Sequence, residues 1–596
     1  MVLRKSALFG FLLLFGFLSL SDSHPINKNL PVYIRFNASH EYRNTVSSNE
    51  FNKPITLSRV QEYSRSNNVG SSLKCFACKE ALNIALWKFR TPDRKYTGLF
   101  KFVISVCERL NIEPSPICSG IVNAMKNETQ YLLKHLNVTG EMVCGLIFPS
   151  TCKTLDLSWN RDKWVVPIAS PRPQNTMSLT KNFKSKAKPL RVLQISDLHI
   201  DFQYKPGSPN NCKEPLCCHK DSTSRDNAKA GYWGDYGSCD VPYWTVENFF
   251  QHVSKEKFDY IIWTGDLPAH NDWSQTKESQ LFLLKNLTKT ILKYFPNTPV
   301  YPALGNHESF PVNSFPPAYV TNTNSINWLY NALVDAWSPW LKKDALQTVR
   351  KSGFYTQLVK PGLRLISLNM NYCNTENYWM LINPVDPNGE LEWLEGALHK
   401  AEQVNEKVHI IGHIPPSIGG DCLDVWRSNY YNIIMRYRHI VRGQFFGHTH
   451  KDELEILYTN SSLSEPVSVA YIAPSITTFS DLNPGYRVYE MDGEQWNILD
   501  HQTYILNLAK ANQLITGPQW ELEYSAKNAY NLTTLSVESW HELYQNWMHT
   551  RKSSISFHKY YSYYYKGHPP KEVCDAACRK QLLCSISAGN FTVTSC

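Results

Sequence analysis

Apolar and polar positions follow several different rhythms along this chain, and each change of rhythm marks a part of it. Behind Arg4 and Lys5 an apolar run extends from Ala7 to Leu20, and the small residues Ser21-Asp22-Ser23 follow it. That run is shorter than the roughly 20 residues needed to cross a bilayer, so residues 1–23 are expected to be a removed signal peptide. No later stretch reaches about 18 uninterrupted apolar residues, so the mature chain is expected to be soluble. Residues 24–70 are polar and rich in Asn and Ser. From 71 to 156 the spacing becomes helical. Leu82, Leu86 and Phe89 fall at i, i+4 and i+7, and Ile117, Ile121, Met125 and Leu132-Leu133 continue the pattern. Residues 157–188 carry Pro, Ser, Asn and basic residues, as in P-I-A-S-P-R-P-Q-N, and read as a semi-rigid linker. Short β-prone apolar runs then fill 189–499. From 500 to 596 Tyr, Trp and Leu recur at helix-like spacing, which predicts a helical subdomain in which Tyr560–Tyr565 serve packing.

A length of 596 residues is too great for one core and implies two to four domains. The sixteen cysteines are even in number. N-x-S/T sequons stand at Asn37, Asn127, Asn137, Asn286, Asn460, Asn531 and Asn590. Behind a signal peptide, these features point to glycosylation and disulfides in the secretory pathway, and to a secreted or lysosomal protein. The net charge of +9 comes from scattered basic residues, so no nucleic-acid partner is expected. A mildly basic surface does suit anionic membranes.

Five of the β-prone runs end in metal-friendly side chains: R-V-L-Q-I-S-D197-L-H199, Y-I-I-W-T-G-D266-L-P-A-H270, V-Y-P-A-L-G-N306-H307-E308, V-H-I-I-G-H413 and G-Q-F-F-G-H448-T-H450. Loops leaving the carboxyl ends of buried strands build sites in layered α/β folds, so these runs are expected to deliver their polar residues to one rim. Carboxylate, imidazole and amide oxygen together suit zinc or manganese, and one Asp can bridge two ions. Two ions about 3.5–4 Å apart can supply a hydroxide and clamp a phosphate. Glycines before Asp266, Asn306, His413 and His448 permit the sharp turns. His409, inside a run, is expected to be structural, as are His135, His219 and His399. Six cysteines between 75 and 152 read as a disulfide frame, and spacing alone leaves fifteen pairings open.

The ordered ligand set resembles the calcineurin-like metallophosphoesterase superfamily. The form G-D-L-P-A-H, together with S-D-L-H-I-D, N-M-N-Y-C-N-T-E-N-Y-W, A-P-S-I-T-T-F and N-P-G-Y-R-V-Y, is similar to the acid sphingomyelinase family. The early C-x-x-C, middle C-x10-C and late C-x7-C resemble a saposin B-type domain. The resemblance implies an α/β fold. A two-sheet sandwich flanked by helices would follow an all-α, disulfide-linked saposin-like domain (71–156) and precede a helical C-terminal subdomain. It implies one zinc at Asp197, His199, Asp266 and His450 and a second at Asp266, Asn306, His413 and His448. A hydroxide held between the ions would attack phosphorus, His270 would protonate the leaving alkoxide, His307 would stabilise charge, and Glu376 would lie near substrate. The implied disulfides are Cys75–Cys152, Cys78–Cys144, Cys107–Cys118, Cys212–Cys217, Cys218–Cys239, Cys373–Cys422, Cys574–Cys578 and Cys584–Cys596. The activity implied is hydrolysis of sphingomyelin to ceramide and phosphocholine, with the saposin-like domain touching the membrane that holds the substrate. Two alternatives are a phosphodiesterase for another phospholipid or a nucleotide, and a lipid-binding protein without catalysis.

Overall fold

Val, Ile, Leu and aromatic side chains dominate the short runs after residue 189, and nearly every one of those runs becomes a strand buried on both faces, which is why they show little alternation. The computed structural model describes residues 79, 97–109, 111–135, 164–171, 187–321, 323–514, 517–549, 555–570 and 573–589. The expected signal peptide, the polar segment 24–70, Leu82, Leu86, Phe89, Cys75, Cys78, Cys144, Cys152, Cys596, Asn37, Asn137 and Asn590 lie outside the described residues.

The chain divides into two units. One comprises residues 1–112 and 136–161, the other 113–135 and 162–596. In the first, helix α1 (Thr97–Arg109) buries Phe100, Val103 and the disulfide-bonded Cys107. The second holds everything that follows.

Helix α2 (Ser115–His135) belongs to this second unit, and its apolar stripe buries Ile117, Ile121, Val122 and Leu132, with Met125 and Leu133 half-buried. It lies so close to the turn Asp272–Ser274 that a Cβ on Gly120 would collide with the backbone and Cβ of Trp273. Farther along, the Tyr131 ring sits 5.0 Å from that of Trp379. A segment expected to belong to a separate helical domain is thus packed on the larger unit.

Two sheets face each other. The first runs β14-β13-β12-β1-β4-β5, with β1 (Leu190–Ile195), β4 (Tyr260–Trp263) and β5 (Val300–Pro302) parallel and β12 (Gly485–Met491), β13 (Ile498–Leu506) and β14 (Trp520–Ser525) added antiparallel. The second runs β15-β10-β11-β9-β8-β7-β6. Its parallel centre is β7 (Leu363–Ser367), β8 (Lys407–Ile411), β9 (Val441–Phe446) and β11 (Pro466–Ile472). The strands β6 (Tyr355–Lys360), β10 (Glu453–Tyr458) and β15 (Ser587–Gly589) complete it, and β2 (Ile200–Asp201) pairs with β3 (Val241–Pro242) outside both sheets. Gln194 Nε2 donates to Phe446 O (3.0 Å) and Tyr260 OH meets His409 (3.1 Å), so polar side chains tie one sheet to the other.

Helices cover the outer faces. They are α3 (Tyr243–Val253), α4 (Lys277–Tyr294), α5 (Asn327–Trp337), α6 (Lys343–Ser352), α7 (Glu390–Gln403) and α8 (Asp424–Tyr437). The C-terminal region contributes α9 (Val537–His549), α10 (Ile555–Tyr564) and α11 (Ala576–Ile586). Helical as expected, this region also supplies three strands, and the expected boundary between 499 and 500 falls inside β13. On α10, Tyr560 and Tyr564 are buried and Lys451 stacks on Tyr564 and Tyr565, so the tyrosine cluster packs.

Disulfides join Cys212 to Cys217, Cys218 to Cys239, Cys373 to Cys422 and Cys574 to Cys578, and Cys118 and Cys584 are also disulfide-bonded. Asn127, Asn460 and Asn531 are exposed, and Asn286 is half-buried.

Candidate metal centre

Each of the five ligand-bearing runs becomes a strand: β1, β4 and β5 of one sheet and β8 and β9 of the other. Their loops meet at the carboxyl ends, where the two sheets come together. The backbone there is strained. Asp197 (φ 48°), His199 (40°), Asp266 (59°), His448 (75°) and His450 (66°) all occupy the left-handed region, at a cost of about 1–3 kcal/mol each. Such outliers persist only where surrounding contacts dictate them. Gly447 shows how tightly the loops approach, since a Cβ there would overlap Ser196 Oγ and Asp197.

The imidazoles are oriented from behind by main-chain carbonyls. His199 Nδ1–H donates to Pro268 O (2.7 Å) and His413 Nδ1–H to Thr264 O (2.6 Å), which turns both Nε2 atoms inward. His199 Nε2 then lies 3.1 Å from His450 Nε2, with Asp197 Oδ1 4.0 Å from the first and 3.7 Å from the second. Burial and neighbouring imidazoles, His270 foremost, hold His199 and His450 well below the ordinary imidazole range. Two nitrogen lone pairs and a carboxylate therefore converge on one point.

A second convergence lies beside it. His413 Nε2 is 3.0 Å from Asp266 Oδ2 and 3.0 Å from Asn306 Oδ1, and His448 Nδ1 is 3.0 Å from the same amide oxygen. Burial opposes a charge on His413, yet Asp266 and Asp197 push it up to about 9. The potential at this point strongly favours a cation. Asp266 is itself subject to burial, which the imidazoles of His413 and His307 outweigh, leaving it well below the ordinary carboxylate range. Its Oδ2 is also 3.5 Å from His199 Nε2, so it touches both groups. Asp197, His199 and His450 form one compact triad, Asp266, His413 and His448 another. These buried acceptors facing one another fit divalent transition-metal ions, for which nitrogen and oxygen donors of this kind are the usual ligands.

His270 stands apart in its chemistry. Asp240 accepts from its backbone N–H (2.7 Å) and from Nδ1–H (2.9 Å), while its ring is stacked between His199 (4.1 Å) and Phe479 (4.1 Å). Its Nε2 is buried and has no hydrogen-bond partner among the described residues. His307 donates its backbone N–H to Asp266 Oδ1 (2.9 Å). Burial would lower its basicity, but Asp266 and Asp272, the latter 3.5 Å from Nδ1, push it up to about 10. Glu376 accepts from Asn313 Nδ2 (2.9 Å), and Asn313 N bonds Asn306 O (3.0 Å), so this carboxylate is two steps from the ligand loop.

The sequence alone assigns no role to several residues here. Asp240 directly follows Cys239, at the end of a disulfide-stapled loop that holds several other acids. Asp272 follows the G-D-L-P-A-H segment. Glu308, the last residue of G-N-H-E, accepts from Leu267 N (2.8 Å) and Asp266 N (3.3 Å), pinning one ligand loop to another. Thr477, within A-P-S-I-T-T-F, donates to Asp240 Oδ1 (2.8 Å). His409 is buried between Tyr260 OH and Trp496 O, His219 pairs with Asp201 (2.7 Å), and His135 and His399 sit on helix surfaces, all outside the centre.

Residues 190–452 match the Calcineurin-like phosphoesterase family, and residues 465–594 match the Acid sphingomyelin phosphodiesterase C-terminal region. The chain is 44% identical to a sphingomyelin phosphodiesterase of Bos taurus, over 88% of this chain and 84% of that one. To the sphingomyelin phosphodiesterase of Homo sapiens it is 42% identical, over 89% and 84%. A cyclic GMP-AMP phosphodiesterase of Homo sapiens is 33% identical over 67% of this chain and 88% of its own length.

Proposed function

The chain belongs to the sphingomyelin phosphodiesterase family, and on that premise we propose that it hydrolyses sphingomyelin to ceramide and phosphocholine at a centre of two zinc ions. One observation carries this reading: two clusters of acceptors lie side by side, with Asp266 of one 3.5 Å from His199 of the other, and beside them an oriented imidazole, His270, has an Nε2 with no hydrogen-bond partner among the described residues. In this reading Asp197, His199, Asp266 and His450 hold one ion, and Asp266, Asn306, His413 and His448 the other. A metal pair so held would supply a water of lowered pKa as the nucleophile and a clamp for phosphate oxygens. His270 Nε2–H protonates the ceramide oxygen as its bond to phosphorus breaks, because a lipid alkoxide leaves poorly without a proton. Asp240 fixes the ring through Nδ1–H, while His199 and Phe479 hold its plane. The His307 imidazolium balances negative charge on the phosphate, and Glu376 lines the substrate side.

The disulfides and exposed sequons, with the N-terminal segment expected from its sequence to be a signal peptide, support a secreted or lysosomal site of action. The saposin-like residues 71–156 are the part proposed to contact the lipid surface. The cyclic dinucleotide phosphodiesterase among the relatives favours a second reading, in which the substrate is a nucleotide. Product analysis on sphingomyelin vesicles and on a cyclic dinucleotide separates the two.

His270→Ala is the direct test of mechanism. It should retain both zinc ions by elemental analysis and lose about 10²–10⁴-fold in kcat. Near-normal kcat on sphingomyelin would remove His270 from the proton-transfer role.

A further inference from the structure

The loop Ser475–Thr477 touches three parts of the centre at once. Ser475 N donates to His450 O (3.3 Å), Ile476 N to Ser196 O (3.1 Å) and Thr477 N to Asp197 O (2.9 Å). The Thr477 hydroxyl reaches Asp240, the partner of His270 (2.8 Å). Whatever fixes this loop therefore fixes the proposed metal ligands and the proposed proton donor together.

What grips it is a lysine about ninety residues downstream. Lys566 is fully buried, and its Nζ donates to Ser475 O (2.9 Å), Ser475 Oγ (2.6 Å) and Thr477 O (3.4 Å). These are three acceptors for the three N–H bonds of an ammonium. The Ser475 hydroxyl keeps its own proton for His450 O (3.2 Å) or Thr477 O (3.0 Å). Burial pulls Lys566 down to about 7 against the opposing charges of Asp197, Glu523 and Asp452, and its hydrogen bonds go to carbonyls and a hydroxyl rather than to a carboxylate. Enclosing a cation on such terms costs free energy that packing alone would not require.

The backbone repeats the point. Lys566 (φ 52°) and Gly567 (φ 69°) are consecutive left-handed residues just beyond α10, a conformation that costs a non-glycine residue about 1 kcal/mol or more. The strain aims the side chain into the molecule, across Gly485, where an added Cβ would stand 3.2 Å from Lys566 Cδ.

We propose that Lys566 is a positioning residue that sets His450 through Ser475 and the Asp240–His270 pair through Thr477, so that the C-terminal region completes the centre. The inference rests on the metal and proton-donor roles proposed above. The test uses the full chain and the variants Lys566→Met and Ser475→Ala, with kcat and KM on a soluble chromogenic phosphodiester, zinc retention against a chelator, and Tm. Lys566→Met should lower kcat about tenfold or more with KM nearly unchanged, and should weaken zinc retention by about tenfold. Ser475→Ala should shift both in the same direction by less. A folded Lys566→Met with lowered Tm but wild-type kcat and zinc retention would make the lysine purely structural and overturn the proposal. If Lys566→Met does not fold, Ser475→Ala decides, and wild-type values for it overturn the proposal equally. An unsubstituted protein that neither binds zinc nor cleaves the diester would overturn the function itself, which is distinct from a loss confined to the variants.

Discussion

His409 and His413 lie four residues apart along the same run, and their environments drive them in opposite directions. Burial, only partly offset by the contact with Trp496, lowers His409 to about 4, whereas Asp266 and Asp197 overcome burial and push His413 up to about 9. Unfolded, His409 would titrate near 6.5, so between pH 6.5 and 4 the unfolded chain binds the extra proton. Stability from this residue is therefore present above pH 6.5 and lost as the pH falls toward 4, by up to about 3 kcal/mol. His409→Gln should be less stable than the parent at pH 7 but should lose less on acidification. Urea unfolding at pH 7 and pH 4.5 measures both, and equal acid sensitivity in the two proteins would refute the assignment. The contrast also explains what could be read from the chain. A histidine directly after a glycine at a strand's end falls at the rim where the acceptor clusters form, and one inside the run falls in the core, because residue type and strand position suffice. Asp240, Thr477 and Lys566 could not be read that way. Their roles exist only through partners brought together by the fold, as when Thr477 meets Asp240 across 237 positions of sequence.

Helix α2 carries the clearest consequence at the level of elements. Its Glu128 is buried in the seat formed with Ser314 and Trp379, and burial, which these two hydrogen bonds only partly offset, raises the carboxyl to about 7. An exposed glutamate ionises near 4.5, so the seated form holds its proton over a range where the free helix does not. The contribution to docking is full below pH 4.5 and is lost as pH rises through 7, a change of about 3 kcal/mol at most. Amide exchange in 115–135 should thus be slower at pH 5 than at pH 7.5 after correction for intrinsic rates, and Glu128→Gln should remove most of that difference. An unaltered pH response in the variant would exclude Glu128 as its source. The helical spacing of Ile117, Ile121 and Leu132 made this helix legible, but not its seat, because Gly120 against Trp273 is a contact between distant segments. Strands β13 and β14 were obscured for another reason. Tyr, Trp and Leu suit either secondary structure, and short apolar runs rich in them do not separate strand from helix until a neighbouring strand accepts their hydrogen bonds.

For the whole molecule the open question is how a centre sunk between two sheets meets a lipid. No helix among the described residues is long and apolar enough to cross a membrane. The chain nevertheless carries a net charge of +9, and no run of like charge concentrates it. Attraction between such a surface and an anionic membrane is worth about 1 kcal/mol per basic residue at the interface, and it fades as the screening length drops from about 10 Å at 0.1 M salt to about 3 Å at 1 M. A soluble diester needs no such encounter. Raising the salt from 0.1 to 1 M should therefore slow hydrolysis of sphingomyelin in anionic vesicles by about tenfold or more. The soluble chromogenic diester should change by less than about twofold, and neutral vesicles should fall between them. Vesicle turnover indifferent to both salt and anionic lipid would mean that charge plays no part in reaching the surface. Recruitment would then rest on apolar contacts alone, and removal of residues 71–156, the part proposed to meet the lipid surface, becomes the decisive comparison between vesicle and soluble substrate. That removal also takes α2 off the catalytic unit and uncovers Trp273 and Trp379. A loss shared equally by both substrates would thus report damage to the centre, and only a loss confined to vesicles would report a role at the membrane.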